Sequence, residues 1–238
     1  MECRICPRRC GADRSIRPGF CGADELPRVA RAMLHFWEEP FLSGTNGSGA
    51  VFFSGCNLRC VYCQNHAIIG GGIGEPCDAE RLSEQYLSLQ AQGAHNINLV
   101  TAAPHVPIVA ESLRTARARG LFIPVVYNSS AYELPETLRL LDGLVDLYLP
   151  DLKYVSPALS ARFSHAPDYF EVALPAIREM RRQTGDLVLD ENGIAKKGLV
   201  IRHLVLPNCT DDSRRVLSAI LENFTADAWI SLMSQYTP

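Results

Sequence analysis

From Ala50 onward, six short apolar runs alternate with amphipathic segments, and this alternation constrains the fold more than any other feature of the chain. The runs are AVFFSG (50–55), NINLVT (96–101), LFIPVVYNSS (121–130), LVDLYLPDLKY (144–154), GLVIRHLVLPN (198–208) and AWISLMSQYTP (228–238). Each is nearly continuous in apolar residues, as strands buried on both faces must be. Between them lie five helical patterns. DAERLSEQYLSLQAQG (78–93) places Leu82, Tyr86 and Leu89 on one face and closes on Gly93. VPIVAESLRTARARG (106–120), LPETLRLLDG (134–143) and DDSRRVLSAILENF (211–224) repeat the theme. The long segment 166–185 is expected to kink or break at Pro175, because proline removes a helical N–H. Strand–helix alternation of this kind predicts a parallel sheet covered by helices. An open doubly wound sheet and an α/β barrel both satisfy it. No G-x-G-x-x-G follows the first strand, which removes the dinucleotide fingerprint. Polar residues gather at the strand ends: Cys56 onward, Thr101, Asn128, Asp151 with Lys153, Asn208, and Gln235 with Tyr236. In a barrel those ends form one mouth. The expected fold class is therefore α/β, a partial (β/α)6 TIM-type barrel with a small N-terminal Cys-rich metal-binding appendage.

The expected division is 1–48, a Cys-rich segment and arm, and 49–238, the barrel. In the first part only RVARAMLHFWEEP (28–40) has regular character, and SGTNGSG (43–49) reads as a turn-rich linker. The chain stops directly after the sixth run, so the C-terminal part of such a barrel is expected to be absent. Apolar residues make up 47% and charged residues 21% of 238, with a net charge of −3, so nothing marks a nucleic-acid surface. No apolar run is long enough to span a membrane, and MECRICPRRC lacks the apolar core of a secretory signal. A cytoplasmic protein is expected, with no nucleic acid and no membrane as partner.

Nine cysteines in a reducing compartment favour metal ligation over disulfides, and seven of them fall in two tight groups. Cys77 and Cys209 stand alone and read as small core hydrophobes. Cys3, Cys6, Cys10 and Cys21 are spaced C-x2-C-x3-C-x10-C, enough for a closed four-thiolate site holding zinc or a second [4Fe–4S] cluster. Cys56, Cys60 and Cys63 are spaced C-x3-C-x2-C and leave one position open. Either His66 completes a zinc site, or the open position belongs to an iron–sulfur cluster that receives another molecule.

GCNLRCVYCQNH (55–66) resembles the loop of the radical S-adenosylmethionine (radical SAM) superfamily. CQNH (63–66), DLKY (151–154) and RHLVLPN (202–208) are similar to segments of the activating enzymes of glycyl radical enzymes, with pyruvate formate-lyase-activating enzyme as the type. Together with GAHNINLVT (93–101) and PVVYNSS (124–130) they resemble one branch, the uncharacterised homologues of that activating enzyme. The resemblance covers essentially the whole chain. It implies an oxidoreductase in which Cys56, Cys60 and Cys63 hold a [4Fe–4S] cluster whose fourth iron is chelated by SAM. One electron then cleaves SAM to a 5′-deoxyadenosyl radical that abstracts hydrogen, with a flavodoxin- or ferredoxin-type donor and a possible protein substrate. Tyr62 is expected beside the cluster. Asn65, Thr101, Ala102, Asn128, Asp151, Lys153, Arg202, Gln235 and Tyr236 are expected to bind the cofactor. Where the superfamily often has Gly-Gly-Glu after its second strand, this chain has Thr101-Ala102-Ala103-Pro104-His105. Asp151 and Lys153 also fit a plain strand-end ion pair, and Arg202 and His203 must point to opposite sides. The reading from another class is a non-catalytic iron–sulfur or zinc protein, an electron carrier or interaction module.

Overall fold

The computed structural model describes residues 2–224 and 227–236. The first strand, β1 (Arg28–His35), comes from the N-terminal arm and is followed by a single helical turn, α1 (Pro40–Ser43). Then come β2 (Ser48–Phe53), β3 (Glu75–Pro76), α2 (Ala79–Ala91), β4 (Ile97–Val100) and α3 (Val106–Ala118). β5 (Val125–Ser129), α4 (Pro135–Leu138), β6 (Leu147–Pro150), α5 (Pro157–Ser164) and α6 (Tyr169–Thr184) follow. The chain continues through β7 (Val188–Leu189), β8 (Ala195–Leu204), α7 (Thr210–Asn223) and β9 (Trp229–Met233). Thr237 and Pro238, the end of the sixth apolar run, lie outside the described residues.

β2, β4, β5, β6, β8 and β9 pair in parallel, each with the next in chain order. A doubly wound sheet would reverse its order at a switch point; this one does not. Contacts between the two ends of the run show how it closes. Ser231 Oγ on β9 donates to Glu39 Oε1 beside α1 at 3.0 Å, and Gln64 Nε2, after β2, reaches Gln235 O at 3.5 Å. In a flat sheet, five strand spacings of ~4.8 Å each would hold those edges apart. The α/β fold with its mostly parallel sheet is thus consistent with a partial barrel.

Alternation along each strand sorts side chains to two faces. Val51, Phe53, Ile97, Leu99, Val125, Tyr127, Tyr148 and Ile201 face the helices and join the main core. Val126, Leu147, Leu149 and Val200 face the other way and meet Leu42 of α1. Leu42 is fully buried. Asn96 holds it there, donating from Nδ2 to Leu42 O at 2.9 Å while its Oδ1 accepts from Ser48 Oγ at 2.6 Å. α1 thus fills one end of the interior.

Several expectations are corrected. The linker read over 43–49 is only a turn at 44–46; Ser43 closes α1, and Ser48 and Gly49 already belong to β2. The arm is a sheet strand, antiparallel to β2 from Val29↔Phe53 to His35↔Ser48. α6 runs through Pro175 without interruption: the proline sits on the solvent face while Ala173, Ala176, Ile177 and Met180 anchor both halves to the core. The helix expected over 134–143 divides into α4 and a 3-10 turn, Arg139–Leu141. α5 was not foreseen; Ser156 caps it by accepting from Leu159 N. α2 begins as its sequence predicts, with Asp78 Oδ1 accepting from Arg81 N at 2.9 Å. Among the described residues no helix is long and apolar enough to cross a membrane.

Leu42→Ala should lower the unfolding free energy by ~2–5 kcal/mol, the cost of a core cavity. Urea unfolding followed by far-ultraviolet circular dichroism measures it. A change within ~0.5 kcal/mol, the range of surface substitutions, contradicts the filled-end assignment.

Candidate active site

The C-terminal ends of the parallel strands surround a cavity of ≈ 1000 Å³. Cys56, Cys60 and Cys63 line it from the loop that leaves β2. Asn65, Thr101, Asn128, Asp151, Lys153, Arg202 and Gln235 line it too, so most residues expected to bind a cofactor share one space. Three do not line it. Ala102 is fully buried in the core behind the β4 end. Tyr62 lies outside the lining, with its hydroxyl 2.5 Å from that of Tyr154. Tyr236 is 39% exposed beyond β9. His66, the other candidate zinc ligand, is exposed outside the lining.

The cysteine loop is pinned from both sides. Cys56 N–H donates to Cys21 O at 3.0 Å, and Val61 N–H to Phe163 O at 2.9 Å. Arg8 Nε donates to Asn57 O at 2.8 Å, and its guanidinium also reaches the Ser164 and His165 carbonyls at the end of α5. The sulfurs already receive donors: Leu58 N–H to Cys56 Sγ at 3.4 Å, and Ser164 O–H to Cys60 Sγ at 2.9 Å. Burial pushes the Cys60 thiol up, with Lys153 nearby opposing it. Burial likewise pushes Cys63 up, to about 11.

One carboxylate organises the opposite wall. Asp151 Oδ1 accepts from Arg202 Nε at 2.9 Å and Oδ2 from Lys153 Nζ at 2.6 Å, with each side chain about 15% exposed. Burial pushes the Asp151 carboxyl up, but Arg202 and Lys153 outweigh it and hold it below its ordinary value. Arg202 reaches on to Asn128 Oδ1 at 2.6 Å. The expected ion pair is thus real and larger than expected. His203 does face away: its Nδ1 lies 2.7 Å from Leu152 O, a carbonyl that can only accept, and burial lowers its pKa. Thr101 takes φ +64°, rare for a β-branched residue and typical of functional sites. His105 is buried; its Nδ1 accepts from Arg14 at 2.8 Å, so the ring proton sits on Nε2.

The sequence did not reveal the wall contributed by the arm: Arg31, His35, Trp37, Glu38 and Glu39 line the cavity. The acidic pair beside a helix-starting proline, in HFWEEP, was the available signal. Burial pushes the Glu38 carboxyl up, against the pull of Arg202. Cys77 is buried, its Sγ donating to Glu75 O at 3.4 Å, and Cys209 is partly buried against the core, as expected of lone cysteines.

In the N-terminal segment, Cys10 Sγ and Cys21 Sγ lie 3.1 and 3.7 Å from the Cβ position that Gly19 lacks. Burial pushes Cys6 up to about 11 and also raises Cys21. Among the described residues no three His, Cys, Asp or Glu side chains converge as a single metal ion requires.

A family model of the radical SAM superfamily matches residues 50–217. The chain belongs to the radical SAM superfamily. An uncharacterised protein of Methanocaldococcus jannaschii is 31% identical over 247 residues, covering all of this chain; the chain spans 66% of that relative's length. The solved structure of methylornithine synthase is similar in fold, with TM-score 0.53 at 12% identity over 75% of this chain and 50% of that one. Radical SAM membership implies a [4Fe–4S] cluster and SAM. The donor set fits them: three thiols of one loop face one cavity, with N–H and O–H groups aimed at two of the sulfurs.

Behind Asn128, Glu133 is buried and accepts from Tyr127 Oη at 2.8 Å and from Ser129 Oγ. Burial pushes its carboxyl from 4.5 up to about 7, against those hydrogen bonds. A raised carboxyl contributes fully below its unfolded pKa, and the contribution is lost as pH rises through the folded value. Relative to Glu133→Gln, the wild type should therefore lose ~1.4 kcal/mol per pH unit between about 4.5 and about 7. Urea midpoints across that range test this; parallel profiles for the two chains contradict it.

Proposed function

We propose that this radical SAM protein is an enzyme in which Cys56, Cys60 and Cys63 hold the [4Fe–4S] cluster at the cavity mouth. The observation that carries the reading is that these three cysteines and the Asp151–Arg202–Lys153 network line one cavity. The cluster supplies the electron that cleaves SAM. Around it, Asp151 and Lys153 contact the SAM ribose or carboxylate, and Thr101 and Arg202 line the rest of its site. Lys153 has charge to offer there: burial pulls its ammonium down, but Asp151 overrides this and holds it protonated.

The finer reading places the chain in the pyruvate formate-lyase-activating-enzyme-like branch. CQNH (63–66), DLKY (151–154) and RHLVLPN (202–208) support it. In the activating enzymes that this branch resembles, the substrate is a backbone glycine of a partner enzyme and the electron donor is of flavodoxin or ferredoxin type; for this chain the substrate is either such a glycine or something unrelated. Residues 1–48 are read as the metal-binding segment and arm and 49–238 as the radical SAM part; Cys3, Cys6, Cys10 and Cys21 would have to draw together to hold zinc or a second [4Fe–4S] cluster.

Anaerobic reconstitution followed by iron and sulfide analysis and a SAM-cleavage assay with dithionite tests the main reading. Cys60→Ala should lose about four irons, one cubane, and all cleavage. Cys77→Ala and Cys209→Ala should keep both. Asp151→Ala and Lys153→Ala should weaken SAM binding by ~1–3 kcal/mol with cluster content unchanged. A loaded protein that never cleaves SAM is an electron carrier instead.

A further inference from the structure

Three hydroxyls form a line that ends on a cysteine sulfur. Tyr62 Oη lies 2.5 Å from Tyr154 Oη, Tyr154 Oη 2.9 Å from Ser164 Oγ, and Ser164 Oγ 2.9 Å from Cys60 Sγ. Ser164 is 0% and Tyr154 1% exposed, so water does not compete for the two inner members. Proton counting fixes the direction. Each hydroxyl has one proton, and a metal-bound thiolate has none. Ser164 must therefore donate to Cys60. Its oxygen is left to accept from Tyr154, and the Tyr154 oxygen accepts from Tyr62. Every O–H dipole in the line points toward the sulfur, and aligned hydrogen bonds of this kind strengthen one another in a low-dielectric interior.

The backbone holds this line in place from both ends. Ser164 is the last residue of α5, and the next residue, His165, takes φ +54°. Arg8 binds the Ser164 and His165 carbonyls and, with the same guanidinium, Asn57 O of the cysteine loop. Phe163 O accepts from Val61 N–H, next to Cys60. The hydroxyl and the sulfur thus belong to two segments tied together on either side of their contact. Cys56 receives a backbone N–H from Leu58 at 3.4 Å and Cys63 one from Asn65, so among the described residues the hydroxyl donor falls to Cys60.

We infer that Ser164, backed by Tyr154 and Tyr62, is a positioning residue that raises the reduction potential of the cluster by hydrogen bonding to the Cys60 sulfur. Hydrogen bonds to ligating sulfurs stabilise the more negative, reduced cluster, and they are among the levers that set cluster potentials. One electron enters from a low-potential one-electron donor, and no bond in the protein forms or breaks. This inference rests on the reading that Cys60 is a cluster ligand.

The test is a potentiometric titration of the anaerobically reconstituted full chain, with dithionite as reductant and the reduced cluster followed by electron paramagnetic resonance. Ser164→Ala should load a full cluster but shift its reduction equilibrium about tenfold toward the oxidised form, ~59 mV more negative for one electron. Ser164→Thr, which keeps the hydroxyl, should restore the wild-type value. Tyr154→Phe should shift it in the same direction by less. A fully loaded Ser164→Ala protein at the wild-type potential, or above it, overturns the inference alone. Should Ser164→Ala fail to load, an unshifted Tyr154→Phe overturns it. A wild-type chain that takes up no cluster, or a Cys60→Ala chain that keeps a full one, overturns the ligand assignment and this inference with it.

Discussion

A parallel sheet has to be covered on both faces, and when it curls, its inner face has two ends to settle. In this chain the arm settles one of them. Leu42 seals against Val126, Leu147, Leu149 and Val200, and Asn96 holds its backbone. Beyond that level the cavity takes in Asn128, Asp151 and Arg202 beside the apolar Phe52, Val100 and Met233. The division between a dry end and a polar end allows one strand set to support both a core and a reactive cavity. It also accounts for the hydrogen bonding of the arm into the sheet: its strand β1 delivers the plug, and the residues between strand and plug become cavity wall.

The polar end is held by few, strongly coupled groups. Asp151 accepts from two cations at once, one on its own segment and one on β8, so it ties adjacent strands together as well as setting the charge of the wall. Removing one member of such a buried set leaves the others without compensation, which costs more than the pair contributes when intact. The cysteine loop depends on a different principle. It is stabilised by backbone carbonyls from segments distant in sequence, at Cys21 and Phe163, and by Arg8, whose guanidinium stacks over Phe20 and Tyr132 with its carbon 4.3 and 5.0 Å from the ring centres.

Much of this was legible in the sequence. The six apolar runs correspond to the six parallel strands, because strands buried on both faces have no alternative composition. Thr101, Asn128 and Asp151 were legible as cavity residues, since a polar side chain closing an apolar strand marks the level of the barrel mouth; Asn208, read in the same way, falls outside the lining, and Arg202 was legible only through the family resemblance. What escaped depends on contacts between residues far apart in the chain. Glu38 and Glu39 precede a proline in an irregular stretch, and only the pairing of β1 with β2 carries them to the cavity. Ser164 lies at the end of a short helix with weak periodicity, 104 positions from the sulfur it touches. Pro175 misled in the other direction: a local helix breaker was overridden by the apolar face on either side of it. Ala102 shows the limit of reading a motif residue by residue, since it turns into the core while its neighbour Thr101 lines the cavity.

The bonds from Cys56 N–H to Cys21 O and from Val61 N–H to Phe163 O fasten the cysteine loop at both ends through protein groups alone. Both bonds are made within the protein, so fixing these points of the loop is part of folding the chain. Small metal-stapled domains behave oppositely: they are unfolded without their metal, and a chelator denatures them. The cysteine loop of this chain has anchors that no metal supplies.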